Sequence, residues 1–181
     1  MTIAPWRTAA SSPTTDPIRP ADRRPGLSGD DLLEVARELS RSLEPWPGAD
    51  APAERCWRIV KVTDCFEAWE VAWPVGGAIE FHDHGDSSGA VVVTSGRLVE
   101  TSLRVGSDGR PVASTAQLPT DGHVVFGPGH VHDIVNGGPA PARSIHVYSP
   151  ALETMTFFSR PDGHGLVPVR TEHYRDGVLV P

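Results

Sequence analysis

Residues 78–105 read AIEFHDHGDSSGAVVVTSGRLVETSLRV, and this stretch decides the fold. AIEFH, AVVVTS and RLVETSLRV are short runs rich in β-branched residues and separated by Gly, Asp and Ser, so each reads as a strand ended by a turn. The same texture extends both ways: WRIVKV (57–62) and FEAWEVAW (66–73) upstream, HVVFG (123–127) and SIHVYS (144–149) downstream. SDG at 107–109 and TDG at 120–122 carry tight-turn chemistry. Strand follows strand without the helical alternation that a parallel βαβ sheet needs. The expected fold class is therefore all-β dominated, a β-barrel of jelly-roll type.

A different pattern precedes the strands. Ser28 and Asp31 have the spacing of a capping box, and Leu32, Leu33, Val35, Ala36, Leu39 and Leu43 recur near helical spacing. A helix over 29–43 is predicted, ended before Pro45 and packed outside the barrel. Residues 1–27 are rich in Pro, Ser, Thr, Asp and Arg, cannot bury enough surface to offset ordering entropy, and read as a flexible leader. That leaves 28–181 as a single domain, with the segment after Pro161 too mixed to assign.

The 181 residues suffice for one well-buried core. Sixteen Lys and Arg against 23 Asp and Glu give a formal charge of −7, and no basic cluster is dense enough to track a phosphate backbone, so nucleic acid is excluded as a partner. The N-terminus lacks an apolar run of signal-peptide length and nothing later is long enough to span a bilayer. A soluble, cytoplasmic protein without a membrane partner is expected. No amphipathic seam or long apolar edge asks for a second copy, so a monomer is expected. Cys56 and Cys65 are too few for a disulfide framework and read as buried spectators.

Two short segments carry paired histidines: HDHGD, with His82 and His84, and GPGHVHDIVN, with His130 and His132. On a strand, side chains at i and i+2 share a face, so His82 and His84 can both point inward while a later strand supplies a third imidazole. Imidazole nitrogen suits Fe, Zn, Cu or Ni at about 2.0–2.2 Å, and three protein ligands leave positions open for substrate and oxygen. The turns that frame these segments, Gly76-Gly77 and Gly96 around the first, Gly122, Pro128 and Asn136 around the second, favour a metal site over a solvated strand. His123, His164 and His173 read as structural or exposed.

Gly76, His82, His84 and Gly96, followed by Gly122, Pro128, His132 and Asn136, resemble the two motifs of the cupin superfamily. The usual pattern carries a Glu shortly after the second His, where this chain has Ser87, Ser88 and Gly89. Three neutral imidazoles leave a divalent metal with its full charge, which favours an anionic chelating substrate such as a thiolate. From Cys56 to Pro150 the chain resembles the cysteine dioxygenase type I branch of the thiol dioxygenases, through CWRIV, Trp73, HDHGDSSG, HVHDIVN and SIHVYSP. The resemblance implies Fe(2+) on His82, His84 and His132, with His130 competing for the third place and HDIVN favouring His132. It implies a relay of Ser144, His146 and Tyr148, with Arg58 as the clamp on the substrate carboxylate and Trp73 beside the pocket. Some relatives link a Cys near the HxH motif to the tyrosine by a thioether; Gly89 stands there in this chain, leaving Tyr148 free. Ser149-Pro150 corresponds to a peptide that is cis in relatives. The reaction implied joins a small thiol and O2, with L-cysteine giving cysteine sulfinic acid. 3-Mercaptopropionate is the alternative substrate, and a non-enzymatic metal-binding sensor the alternative class.

Overall fold

In a computed structural model, the structure describes residues 26–44, 46, 52–107, 110–159 and 166–180. Among these residues one helix and two antiparallel sheets make a jelly roll, as the strand-rich pattern predicts. Helix α1 (Gly29–Ser42) precedes β1 (Cys56–Val62), β2 (Glu67–Trp73), β3 (Ala78–His82), β4 (Ser88–Ser95), β5 (Arg97–Val105) and β6 (Pro111–Pro119). β7 (His123–Phe126), β8 (Val131–Val135), β9 (Ala142–Ser149), β10 (Thr154–Phe158), β11 (Pro168–Arg175) and β12 (Val178–Val180) complete the order. One sheet runs β1-β2-β9-β4-β7, the other β12-β11-β10-β3-β8-β5-β6. The sequence named a strand beginning at His132, which β8 bears out, but neither β6 nor β10 to β12.

The helix begins where its capping box forms: Ser28 accepts from the Asp31 backbone N–H, and the Asp31 side chain answers the N-cap backbone. Such a cap is worth about 1 kcal/mol. Leu32 and Ala36 then pack on the outer face of the five-stranded sheet, against Ala68, Ala90, Val92, Ile145 and Val147. Small residues at Ala68 and Ala90 let the helix lie close. Residues 1–25 of the expected leader lie outside the described residues, as do 108–109 of the SDG turn and His164. Leu27, placed in that leader, joins the helix cluster, and its N–H donates to Ser149 Oγ at 2.9 Å.

The sheets close on an aromatic core between them. Trp57 stacks on Trp69 at 5.7 Å, and Trp69 meets Tyr148 edge-on at 5.4 Å; such pairs add about 1 kcal/mol each beyond their buried area. Asn136 braces the turn that leads into the first histidine segment. Its Nδ2 donates to the carbonyls of Trp73, Pro74 and Ala140, its Oδ1 accepts from Gly138 N–H, and its backbone N–H reaches Gly77 O at 2.8 Å. The Gly76-Gly77 turn it holds needs φ of 73° at Gly76, a conformation open to glycine. Ser149-Pro150 is cis. No helix among the described residues is long and apolar enough to cross a membrane.

Candidate metal centre and active site

His82 ends β3, and a register shift between Ile79 and His82 lets both face the core although they stand three apart. His84 lies beyond the strand, in a turn closed by Ser87 N–H to His84 O at 3.1 Å. Asp83 fixes that turn: its Oδ1 accepts from Gly85 and Thr156 N–H, at 3.2 and 3.0 Å, and its own N–H donates to Thr156 O. His132 comes from β8, paired directly with His82. The ligating nitrogens offered by His82, His84 and His132 all lie within 4.8 Å of one another, and all three residues are buried.

These residues suit a metal. His82 Nδ1 is paired with Glu80 O at 2.8 Å and His132 Nδ1 with Glu100 Oε1 at 2.7 Å, which leaves Nε2 of each as the free donor. His84 Nδ1 is buried with no hydrogen-bond partner among the described residues. Burial, reinforced by mutual charge repulsion, holds His82 and His84 well below the ordinary histidine value. Burial also lowers His132, against the pull of Glu100. The three are thus neutral imidazoles, the form that ligates. Burial would raise Glu100, but hydrogen bonds from His130 and His132 overcome it and hold the carboxylate at about 2. His130 turns to Glu100 at 3.2 Å and stands outside the three-imidazole set.

The five-stranded sheet supplies a row of polar groups. Ser144, His146 and Tyr148 alternate inward along β9; Ser144 Oγ is 2.8 Å from His146 Nε2, and His146 Nδ1 is 3.2 Å from the Tyr148 hydroxyl. Trp73 Nε1 donates to Ser144 Oγ at 2.9 Å. Because indole can only donate, the serine proton is best spent on Nε2. The imidazole N–H then falls on Nδ1, aimed at the tyrosine oxygen, and the phenol hydrogen is free to point elsewhere. Burial drives His146 down to about 3 and raises Tyr148 above its ordinary value, so both are neutral.

Gly89, paired with Tyr148 across β4 and β9, has no room for a side chain: a Cβ there would collide with the Phe126 ring. Phe126 in turn stacks on His84 at 4.5 Å and on His130 at 5.1 Å.

One correction concerns the arginine. β1 sends Trp57 into the core and Arg58 to the opposite face, where Arg58 Nε donates to Glu70 Oε2 at 2.7 Å, a second nitrogen donates to Glu44 O at 2.6 Å, and the guanidinium lies 5.2 Å from the Trp46 ring. Strand alternation carries it away from the cavity. Arg55, two residues before Trp57, takes the inward place instead. It lines a cavity with Trp57, Trp73, His82, His146, Tyr148 and Tyr174, its guanidinium 5.7 and 5.5 Å from the Trp57 and Trp73 rings. Among the described residues no carboxylate stands within salt-bridge distance of it. Tyr174 had also escaped sequence reading; its hydroxyl donates to Glu172 Oε2 at 2.7 Å.

A family model described as cysteine dioxygenase type I matches residues 50–161, more than half of the chain. The chain belongs to the cysteine dioxygenase type I family. Among solved structures, an oxalate oxidase in complex with the substrate analogue glycolate superposes with a TM-score of 0.50 at 17% identity, over 61% of this chain and 58% of that one. The matched region therefore spans less than two thirds of the oxalate oxidase. A cupin domain from Schizosaccharomyces pombe gives a TM-score of 0.46 at 15% identity, over 57% of this chain and 69% of that one. At this identity the likeness to the oxalate oxidase speaks to the fold alone, a jelly roll. Membership of the cysteine dioxygenase type I family, together with the three-imidazole cluster, supports a metal-dependent thiol dioxygenase.

Proposed function

We propose that this chain is a mononuclear iron thiol dioxygenase that oxidises L-cysteine to cysteine sulfinic acid. One observation carries the reading: a single cavity is lined by His82 of the neutral imidazole cluster, by His146 and Tyr148 of the polar row on β9, and by Arg55, which has no carboxylate partner among the described residues. His82, His84 and His132 would hold the metal; a ferrous ion there supplies Lewis acidity toward a thiolate and the capacity to activate dioxygen.

The residues of this chain do the rest. Arg55 presents a planar fork to the substrate carboxylate, a geometry that Lys could not match. Its two tryptophan neighbours keep it oriented, and no hydrogen-bond acceptor among the described residues engages its donors. Tyr148, held by His146 Nδ1–H, directs its hydroxyl hydrogen into the cavity as a neutral donor. Trp69, Val71, Ile79, Ile134 and Met155 supply the apolar part of the wall. The overall reaction is RSH + O2 giving RSO2⁻ and H⁺. Sulfur loses four electrons and dioxygen gains four, both oxygen atoms ending on sulfur, so no external reductant is required.

Oxygen uptake by anaerobically prepared, ferrous-loaded protein should be measured with L-cysteine, 3-mercaptopropionate and cysteamine, with the product weighed by mass spectrometry. Fastest uptake with cysteine, matched mole for mole by sulfinate, supports the proposal. Faster turnover of 3-mercaptopropionate moves the substrate to a mercapto acid lacking the amine. Full iron occupancy with no uptake on any thiol rejects dioxygenase chemistry and leaves a metal-binding sensor.

A further inference from the structure

The chemistry proposed above leaves Glu100 without a task, yet this carboxylate is 5% exposed and lies against the imidazole cluster. It stands on β5 beside β8, where Glu100 pairs with Ile134 and Ser102 with His132. The side chain therefore reaches diagonally to His132. One oxygen, Oε1, receives both His132 Nδ1 at 2.7 Å and His130 Nε2 at 3.2 Å. His130 is itself pinned, its ring lying 12° from the plane of Phe126, which also stacks on His84 and meets His132 edge-on. Burying a carboxylate costs several kcal/mol unless its hydrogen bonds are made, so a purely structural role would more cheaply be filled by an apolar residue.

We infer that Glu100 is a positioning residue for the metal: by accepting from His132 Nδ1 it fixes that ring's tautomer and orientation, and it sets a negative charge one imidazole away from the ion, in place of the carboxylate that HDHGDSSG lacks. His130 steadies the same oxygen from the side. The inference rests on the reading of His82, His84 and His132 as a metal centre, and extends it to the charge of that centre. Outer partners of this kind change metal affinity by about 10- to 100-fold.

The test compares wild-type protein with Glu100→Gln and Glu100→Leu. Iron(II) affinity is measured anaerobically by competition with a chelator, the absorption spectrum of the cobalt(II) form is recorded, and the melting temperature of each metal-free protein reports folding. Glu100→Leu should bind iron about 10- to 100-fold more weakly with a shifted cobalt spectrum. Glu100→Gln keeps an acceptor but not the charge, and should fall between the two. The inference is overturned if a folded Glu100→Leu binds within two-fold of wild type with an unchanged spectrum. Should Glu100→Leu fail to fold, Glu100→Gln decides by the same criteria. It is also overturned if wild type takes up a second metal equivalent that both Glu100 variants lose, since Glu100, His130 and His132 would then be ligands themselves. Wild type that binds metal but oxidises no thiol defeats the proposed reaction while leaving this comparison intact.

Discussion

The two sheets of the barrel contribute unlike chemistry to one interior. From the seven-stranded sheet and the turn after β3 come His82, His84, His132 and Glu100, gathered by short loops and cross-strand pairs; from the five-stranded sheet come Trp73 and the Ser144-His146-Tyr148 row, with Arg55 from the residue just before β1. The first group is a set of neutral nitrogen donors with an anion behind one of them. The second is a permanent cation beside neutral hydroxyls. A ligand spanning both needs a soft donor at one end and an anion at the other, which describes a small thiol acid. The difference teaches that separate sheets can carry metal binding and substrate reading, so each should fail independently.

The strongest way to break the first group alone is His84→Ala. It should abolish metal retention and thiol-dependent oxygen uptake together, checked by metal content after desalting, while the folded core persists. Breaking the second group should spare the metal. Tyr148→Phe is expected to keep full metal content and lose about 100-fold in kcat, the scale for removing one aligned donor.

Arg55→Gln should cost about 10- to 100-fold in kcat/KM for a thiol carrying a carboxylate, the worth of a charged hydrogen bond. It should cost far less for cysteamine, which has none. Arg58→Gln, on the outer face, should change kcat/KM less than two-fold. Steady-state kinetics on the two variants side by side would expose an error in the inward placement of Arg55 if their effects were reversed.

A smaller effect concerns stability. Glu67 is wholly buried next to Tyr148, accepts Leu152 N–H at 3.2 Å through Oε1 and leaves Oε2 without a hydrogen-bond partner among the described residues. Burial raises it to about 7 from an ordinary 4.5. The folded chain therefore keeps a proton that the unfolded chain releases. The resulting stability is fully present below about pH 4.5 and drains away as pH rises to 7, a loss of at most about 3 kcal/mol. Glu67→Gln should flatten the fall in melting temperature between pH 5 and 7 relative to wild type; parallel curves would contradict the buried acid.

How much of this was legible in the sequence depended on range. The Ser28-Asp31 cap and the alternation of SIHVYS are local, so their spacing alone brought them to the right elements, whereas His82 and His84, expected on one strand, divide between the end of β3 and the turn beyond it. The resemblance pointed to Arg58 and left Arg55 unread, because the strand's facing depends on long-range contacts. The phase of β1 is set by Trp57 stacking on Trp69 and by Glu70 standing across from Arg58, both contacts with β2. The alternation Arg55, Trp57 held a usable signal, since the tryptophan is the residue most in need of the core. RDGV at 175–178 was a legible hairpin, with Asp176 at φ 51° and Gly177 at φ 68°, and reading it would have brought Tyr174 into view. Glu100 had no local mark at all, being 32 residues from His132 and joined to it only by the pairing of β5 with β8.

The most direct measurement is a crystal structure of the iron-loaded protein soaked anaerobically with L-cysteine, with anomalous scattering collected at the iron edge. The account predicts one iron peak among His82, His84 and His132, the substrate sulfur beside it and the substrate carboxylate paired with Arg55. Iron seated on Glu100 and His130, or a carboxylate that ignores Arg55, would contradict it.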